Sequence, residues 1–325
     1  MALTYTELES ITNDYFLADG KKAVDIYFNT SFLLDWFMNT KKGIWERPSG
    51  GRYIRVPLEY DEQVGGAYAR ADVISSEDRE SINAARFGFK HYYGNATIYR
   101  TDEMENAGEY AEVQMVTQRV SGAQKTVTKQ LATDIYSNSS DSANEITGLK
   151  SLTSETATVA YGNIAENDLV SADLTKKWEG KTTTTTEGIS LAVIRTAASA
   201  AKINDGAMGK PDIGVMTETL FNVVSGILQV QQRFTTDSDT AKAGFTHLVF
   251  EKKILAADDY CSSGYMFLLN SNFLGFGVHK NGLYARTPWA DLVVTGTVAK
   301  SMKIFWDGNM ICSNRKAHIA HSNLS

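Results

Sequence analysis

Three short stretches place glycine, two of them with lysine, as a phosphate site would, and each lacks a part that the chemistry needs. Gly180-Lys181-Thr182 is the tail of a phosphate-binding loop, but the glycine required five residues earlier is Thr175, and the residues before it are polar and do not form a buried strand. Gly209-Lys210 is followed by Pro211, which removes the hydroxyl that would hold magnesium. Gly275-Phe276-Gly277 has no third glycine and sits in a strand-like context, away from any strand-to-helix turn. His318 and His321 could share a metal, yet no cysteine or carboxylate lies near them, and a polar, solvated C-terminal tail is the expectation. Asp258-Asp259 could be a carboxylate pair, but Ala256-Ala257 before it and Ser262-Ser263-Gly264 after it read as a turn. No nucleophile elbow, zinc-protease helix or Cys/His dyad occurs. The sequence therefore predicts no enzyme, no cofactor and no metal.

Composition narrows the partners. The 325 residues carry a net charge of −6, the wrong sign for a protein that binds by neutralising phosphates, though not for one that merely encloses nucleic acid. The hydrophobic fraction of 43% can fill a sizeable core, and no apolar run approaches the ~20 residues of a membrane helix, so no membrane partner is expected. The first residues, Met1 to Asp14, lack the basic start and apolar stretch of a secretory signal. Two cysteines, Cys261 and Cys312, make no disulfide framework, which fits a reducing cytoplasm.

The elements follow from periodicity. Leu3 to Trp45 holds clustered apolar residues that suit an extended arm with short helices, or a small helical subdomain. After the turn Pro48-Ser49-Gly50-Gly51, the residues Ile54, Val56, Leu58 and Tyr60 alternate with polar ones, and Ala85, Phe87 and Phe89 do the same. The spacing predicts a long antiparallel hairpin with a broad polar tip over 61–84, and Pro57 needs a strand with one free side. A two-stranded ribbon is marginal in water unless something covers it, and the cover is either its own domain or another subunit. Asn106 and Glu109 form a capping-box pattern ahead of a stripe from Val113 through Val120, Val127 and Leu131 to Ile135, which predicts one helix of about thirty residues, ~45 Å long. Thr182 to Thr186 reads as exposed strand or loop. A helix over 189–203, a strand over 212–216 and a helix from Leu220 to Phe234 suggest a mixed α/β insert. The last 80 residues read as strands, with turns at Asn281-Gly282 and Asp307-Gly308.

This order, arm, hairpin, long capped helix, α/β insert, late strands, resembles the major capsid proteins of tailed bacteriophages and their Hong Kong phage fold. Gly50 to Tyr60, GGRYIRVPLEY, is similar to that family's GG..I..PL.Y segment. Asp72-Val73-Ile74, Asn106-Ala107-Gly108-Glu109, Ile146-Thr147-Gly148-Leu149, Lys210-Pro211-Asp212 and Cys312-Ser313-Asn314-Arg315 with His318 resemble further stations in the same order. The resemblance implies an α+β fold: an N-terminal arm (1–47), an E-loop hairpin (48–90), a P-domain with its spine helix (91–144), an A-domain (145–290) and C-terminal strands returning to the P-domain (291–325). It implies self-assembly into hexamers and pentamers of an icosahedral head around double-stranded DNA, in the virion after assembly in the bacterial cytoplasm. The implied partners are further copies, a scaffolding protein, a portal protein and a decoration protein. Arg52, Arg55 and Arg70 would meet Glu77, Asp78 and Glu80 across subunits, with Tyr60 and Tyr68 beside them.

Two departures add expectations. Some relatives cross-link through an E-loop lysine, but no lysine lies between Lys42 and Lys90, so none is expected from this hairpin. The chain starts almost directly at the arm, so the scaffold is expected to be a separate protein. An encapsulin-like compartment and a soluble α/β enzyme are the alternatives.

Overall fold

The computed structural model describes residues 31–39, 44–46, 48–70, 72–74, 76–105, 109–156, 160–171, 174–203, 209–229, 247–292 and 298–325. The expected arm, up to residue 30, and the expected cap Asn106 lie outside them. Along the chain come α1 (Phe32–Asn39), β1 (Ile44–Glu46), β2 (Tyr53–Glu59), β3 (Ile82–Gly88), β4 (Lys90–Tyr99), α2 (Arg100–Glu105) and α3 (Glu109–Ile135). Next are α4 (Leu149–Thr153), β5 (Thr182–Thr183), α5 (Leu191–Ala200), β6 (Ile213–Met216), α6 (Glu218–Gln229), β7 (His247–Phe250), β8 (Lys253–Ala257) and β9 (Met266–Leu269). The chain closes with β10 (Leu274–Val278), β11 (Ala285–Arg286), β12 (Ala290–Asp291), β13 (Ala299–Cys312) and β14 (Ile319–His321).

The chain divides into two units. The first holds Tyr92–Gln130 and Leu283–Trp306 among the described residues. Here α3 lies on strands of β4 and β13, with Ala96, Ala123, Met302 and Ile304 as the buried contact and Val120 and Tyr284 packed beside them. Gly94 is required at this contact, because a Cβ there would overlap the carbonyl oxygen of Ala123. The hydroxyls of Thr128 and Tyr284 meet at 3.0 Å, and Tyr92 sits edge-on to the buried Trp306. The predicted helix is thus present over 27 residues, its stripe buried at Ala123 and Val127.

The second unit holds the described residues of Thr30–His91, Leu131–Gly282 and Asp307–Ser325. Its centre is a six-stranded mixed sheet in the order β5-β14-β9-β6-β8-β7, parallel between β6 and β8, with α6 directly after β6. Buried apolar residues of α5 and α6 (Ile194, Ala197, Leu220, Val224, Leu228) pack with Leu248, Leu255, Met266, Leu268 and Ile319. Ser190 caps α5, its hydroxyl accepting from the Val193 N–H.

Two expectations are corrected here. The C-terminal residues are no solvated tail: His318 and His321 are buried, because β14 is inserted between β9 and β5 as an inner strand. Nor is Asp307-Gly308 a turn. β13 runs straight through it, with Gly308 opposite Val278, while the Asp307 carboxylate takes a 2.7 Å bond from His91 and its backbone bonds His279 and Gly282.

Candidate intersubunit surface

The two strands β2 and β3 pair in full register from Tyr53 opposite Gly88 to Glu59 opposite Ile82. Among the described residues each has the other as its sole strand partner, so Pro57, lacking an N–H, sits at a free edge as its type requires. Alternation then sorts the side chains. Ile54, Val56 and Leu58, with Ala85 and Phe87, face inward and are buried.

Their cover comes from the same unit. Phe87 stands edge-on to Tyr161 at a centroid distance of 5.4 Å, and Gly162 (φ +64°) brings its backbone against Phe87 and Ala85 while its carbonyl accepts the Arg86 N–H at 2.8 Å. Ile54 lies on Gly277, where any side chain would collide with it. The side-chain amide of Asn309 fastens the root, donating to the Gly88 carbonyl at 2.9 Å and accepting the Thr147 N–H at 3.0 Å. So the stem of the ribbon is satisfied at home. Of the two covers the sequence allows, its own domain serves the stem, because Tyr161 and Gly162, distant in sequence, fill its inner face.

The tip differs. From Asp61 to Glu80 the described residues form no helix or strand and are mostly exposed, including Arg70, Glu77, Asp78 and Glu80. Apolar side chains are exposed with them: Tyr68 at 72%, Val73 at 98% and Ile74 at 67%. Soluble surfaces seldom carry such groups together without a partner. Where tip meets stem, Gln63 holds the two sides together, its amide donating to the Arg79 carbonyl and accepting the Arg79 N–H. Tyr60 is half-buried there, beside an open cavity of about 610 Å³ that Trp178, Lys177 and Lys316 also line. On the stem, Arg52 and Arg55 are exposed on the outer face, the Arg52 guanidinium 5.4 Å from the Tyr53 ring centre. Arg52, Arg55, Tyr60, Tyr68, Arg70, Glu77, Asp78 and Glu80 thus share one hairpin, Tyr60 at its neck.

Three of the other stations named in the sequence are structural nodes. In Ile146-Thr147-Gly148-Leu149, a Cβ on Gly148 would strike the Ser137 carbonyl. Asp212 of Lys210-Pro211-Asp212 accepts the Ser271 N–H at 2.8 Å, and the Lys210 carbonyl accepts from Asn270. Arg315 of the Cys312–Arg315 station is buried, and its guanidinium donates to the carbonyls of Ser151, Leu152, Ser154 and Trp178 at 2.9–3.2 Å. Three of these carbonyls belong to the end of α4, whose last turn has no internal donors for them. Burial lowers the Arg315 pKa. Asp258, read from the sequence as a turn residue, is a buried hub: its carboxylate accepts the hydroxyls of Ser31 (2.7 Å) and Tyr136 (2.9 Å) and the N–H groups of Leu33 and Tyr260. Burial raises the Tyr136 hydroxyl well above its ordinary value. No local signal in the sequence distinguishes Asp258 from Asp259, because Ser31, Leu33 and Tyr136, which single it out, lie more than 100 residues away. Among the described residues no cluster of three or more His, Cys, Asp or Glu could hold a metal, and no helix is long and apolar enough to cross a membrane.

No protein-family model matches the sequence, and no curated protein does. Solved structures do match. The chain is similar over 94% of its length to 96% of a chain in the Cyanophage A-1(L) capsid asymmetric unit, with a TM-score of 0.66 and 14% identity. It has the fold of the tailed-phage capsid. Similarity of the same kind extends to the capsid of Myoviridae Phage XM1, with 94% and 98% of the two chains covered, a TM-score of 0.56 and 10% identity. The holo-SrpI encapsulin complex from Synechococcus elongatus PCC 7942 is similar as well, with 100% and 97% covered, a TM-score of 0.57 and 9% identity. Across this capsid fold the identities are low, and nodes such as Arg315 and Asn309 act through backbone carbonyls and N–H groups, which any sequence supplies.

Proposed function

We propose that this chain is the major coat protein of a tailed-phage head, assembling into hexamers and pentamers of an icosahedral shell around double-stranded DNA. The observation that carries the reading is the capsid fold covering 94% or more of the chain in each comparison. The exposed tip of the hairpin supports it, since Tyr68, Val73 and Ile74 gain by burial on another copy. Hairpin, long helix and mixed-sheet unit then correspond to E-loop, spine helix and A-domain. A portal, a decoration protein and a scaffold are the further partners this reading names.

The acidic balance suits a container whose wall does not grip DNA during packaging. Electron microscopy of the purified protein under assembly conditions tests the proposal, with closed shells as the expected result. A chain that stays monomeric at high concentration refutes it. The similarity to an encapsulin supports a second reading, a protein-filled compartment. Particles isolated with protein cargo and no DNA decide for that alternative.

A further inference from the structure

The outer face of the hairpin stem carries an arrangement that local stability does not explain. Arg55 and Arg86 lie directly opposite each other in the β2–β3 register, and both are exposed. Like charges in this position repel and destabilise the pairing. The register cannot slip to separate them, because a one-residue shift would expel Ile54, Val56 and Phe87 from the interior. No ion pair to either arginine occurs among the described residues. Arg52 adds a third guanidinium to the stem, against the single carboxylate of Glu59.

The tip of the same element has the opposite sign. Between Tyr60 and Ser81 the chain carries six carboxylates, Asp61, Glu62, Asp72, Glu77, Asp78 and Glu80, and two arginines, Arg70 and Arg79. One element thus has a cationic stem and an anionic tip. We infer that the tip of one copy lies along the outer stem face of the next, its carboxylates bridging Arg55 and Arg86. Tyr68, Val73 and Ile74 then cover Tyr53 and Ile82, which are exposed on that face. Guanidinium forks suit carboxylates in two-point contact. Such a contact is heterologous: each copy offers its tip to one neighbour and its stem to the other, which makes a ring where the rotation closes. The inference rests on the shell reading and names the surfaces that join its subunits.

Charge exchange tests it. Arg55→Glu with Arg86→Glu places an acidic tip on an acidic stem. Glu77→Lys with Asp78→Lys and Glu80→Lys places a basic tip on a basic stem. Each set is expected to raise the critical concentration for assembly roughly tenfold or more, and the two sets combined in one chain to restore it. The single change Arg55→Glu separates this role from a structural one. It gives Arg86 an opposite charge across the strand, so the unassembled subunit should melt at a higher temperature while assembly weakens. Thermal melts of each variant before assembly control for folding. Shells that form from every variant as from the wild type overturn the contact and leave the shell reading standing. Open or small oligomers with the same charge dependence uphold the contact and overturn the shell. A wild-type chain that stays single overturns both.

Discussion

Replacing Arg315 by methionine keeps much of the aliphatic stem and removes the donors at the end of α4. The four carbonyls of Ser151, Leu152, Ser154 and Trp178 then lose their partner in a site whose arginine is 1% exposed. Burying the guanidinium itself costs several kcal/mol, and where a whole buried ionic group is exchanged for an apolar one the balance can be neutral. Here the acceptors stay behind, fixed by α4 and its following turn, and each buried acceptor left unpaired costs ~1–3 kcal/mol. Taking the low end for each, the loss is about 4 kcal/mol, a large share of the 5–15 kcal/mol typical of folded domains. Arg315→Lys retains the charge but not the fork, and with its compact ammonium can serve about half of the carbonyls, a loss of about 2 kcal/mol. Urea unfolding of the unassembled subunit, followed by near-ultraviolet circular dichroism, measures both. If Arg315→Met unfolds within ~1 kcal/mol of wild type, or Arg315→Lys proves the worse of the two, the guanidinium does not cap α4 as argued.

Burial lowers the His318 pKa to about 3 from an ordinary value near 6.5. The folded protein therefore holds a neutral ring. Its contribution is complete above the unfolded value and is lost as pH falls from about 6.5 toward 3, at about 1.4 kcal/mol per unit, or about 3 kcal/mol by pH 4.5. The difference in stability between wild type and His318→Gln, measured across this range, should shrink with that slope; a constant difference contradicts it. Burial pushes the Cys312 thiol up to about 12 and raises Cys261 as well, so an aromatic disulfide reagent should titrate no thiol in the native subunit and two after unfolding. Rapid labelling of the native protein would refute this. The hairpin holds no lysine up to Lys90, which is buried with its ammonium donating to the Asp141 carbonyl at 2.8 Å. Shells boiled in detergent should therefore run as a single monomer band, and a ladder of covalent multimers would show a cross-link from elsewhere.

Periodicity is a local property, and what it encodes was legible. Two-residue alternation at Ile54, Val56 and Leu58 and at Ala85 and Phe87 announced which face of the hairpin is buried, and the stripe through Ala123, Val127, Leu131 and Ile135 announced the long helix. Pro57 announced a free edge. What covers a buried face is not local. The stem packs on Tyr161 and Gly162, some 75 residues from Phe87, and this pairing exists only once the chain has folded back. The same holds for the C-terminus. Arg315, His318 and His321 look like solvated polar residues because their partners lie far upstream and are mostly backbone groups: the carbonyls of α4 and its end, the Asn270 N–H donating to His318 Nδ1, and the Thr185 carbonyl, with the Glu187 carboxylate, beside His321. Backbone acceptors leave no mark in a sequence, so a buried polar residue that relies on them reads as an exposed one. Side-chain type determined the elements and their inner faces, and tertiary structure alone decided which polar residues are interior and which part of the ribbon remains open to a neighbour.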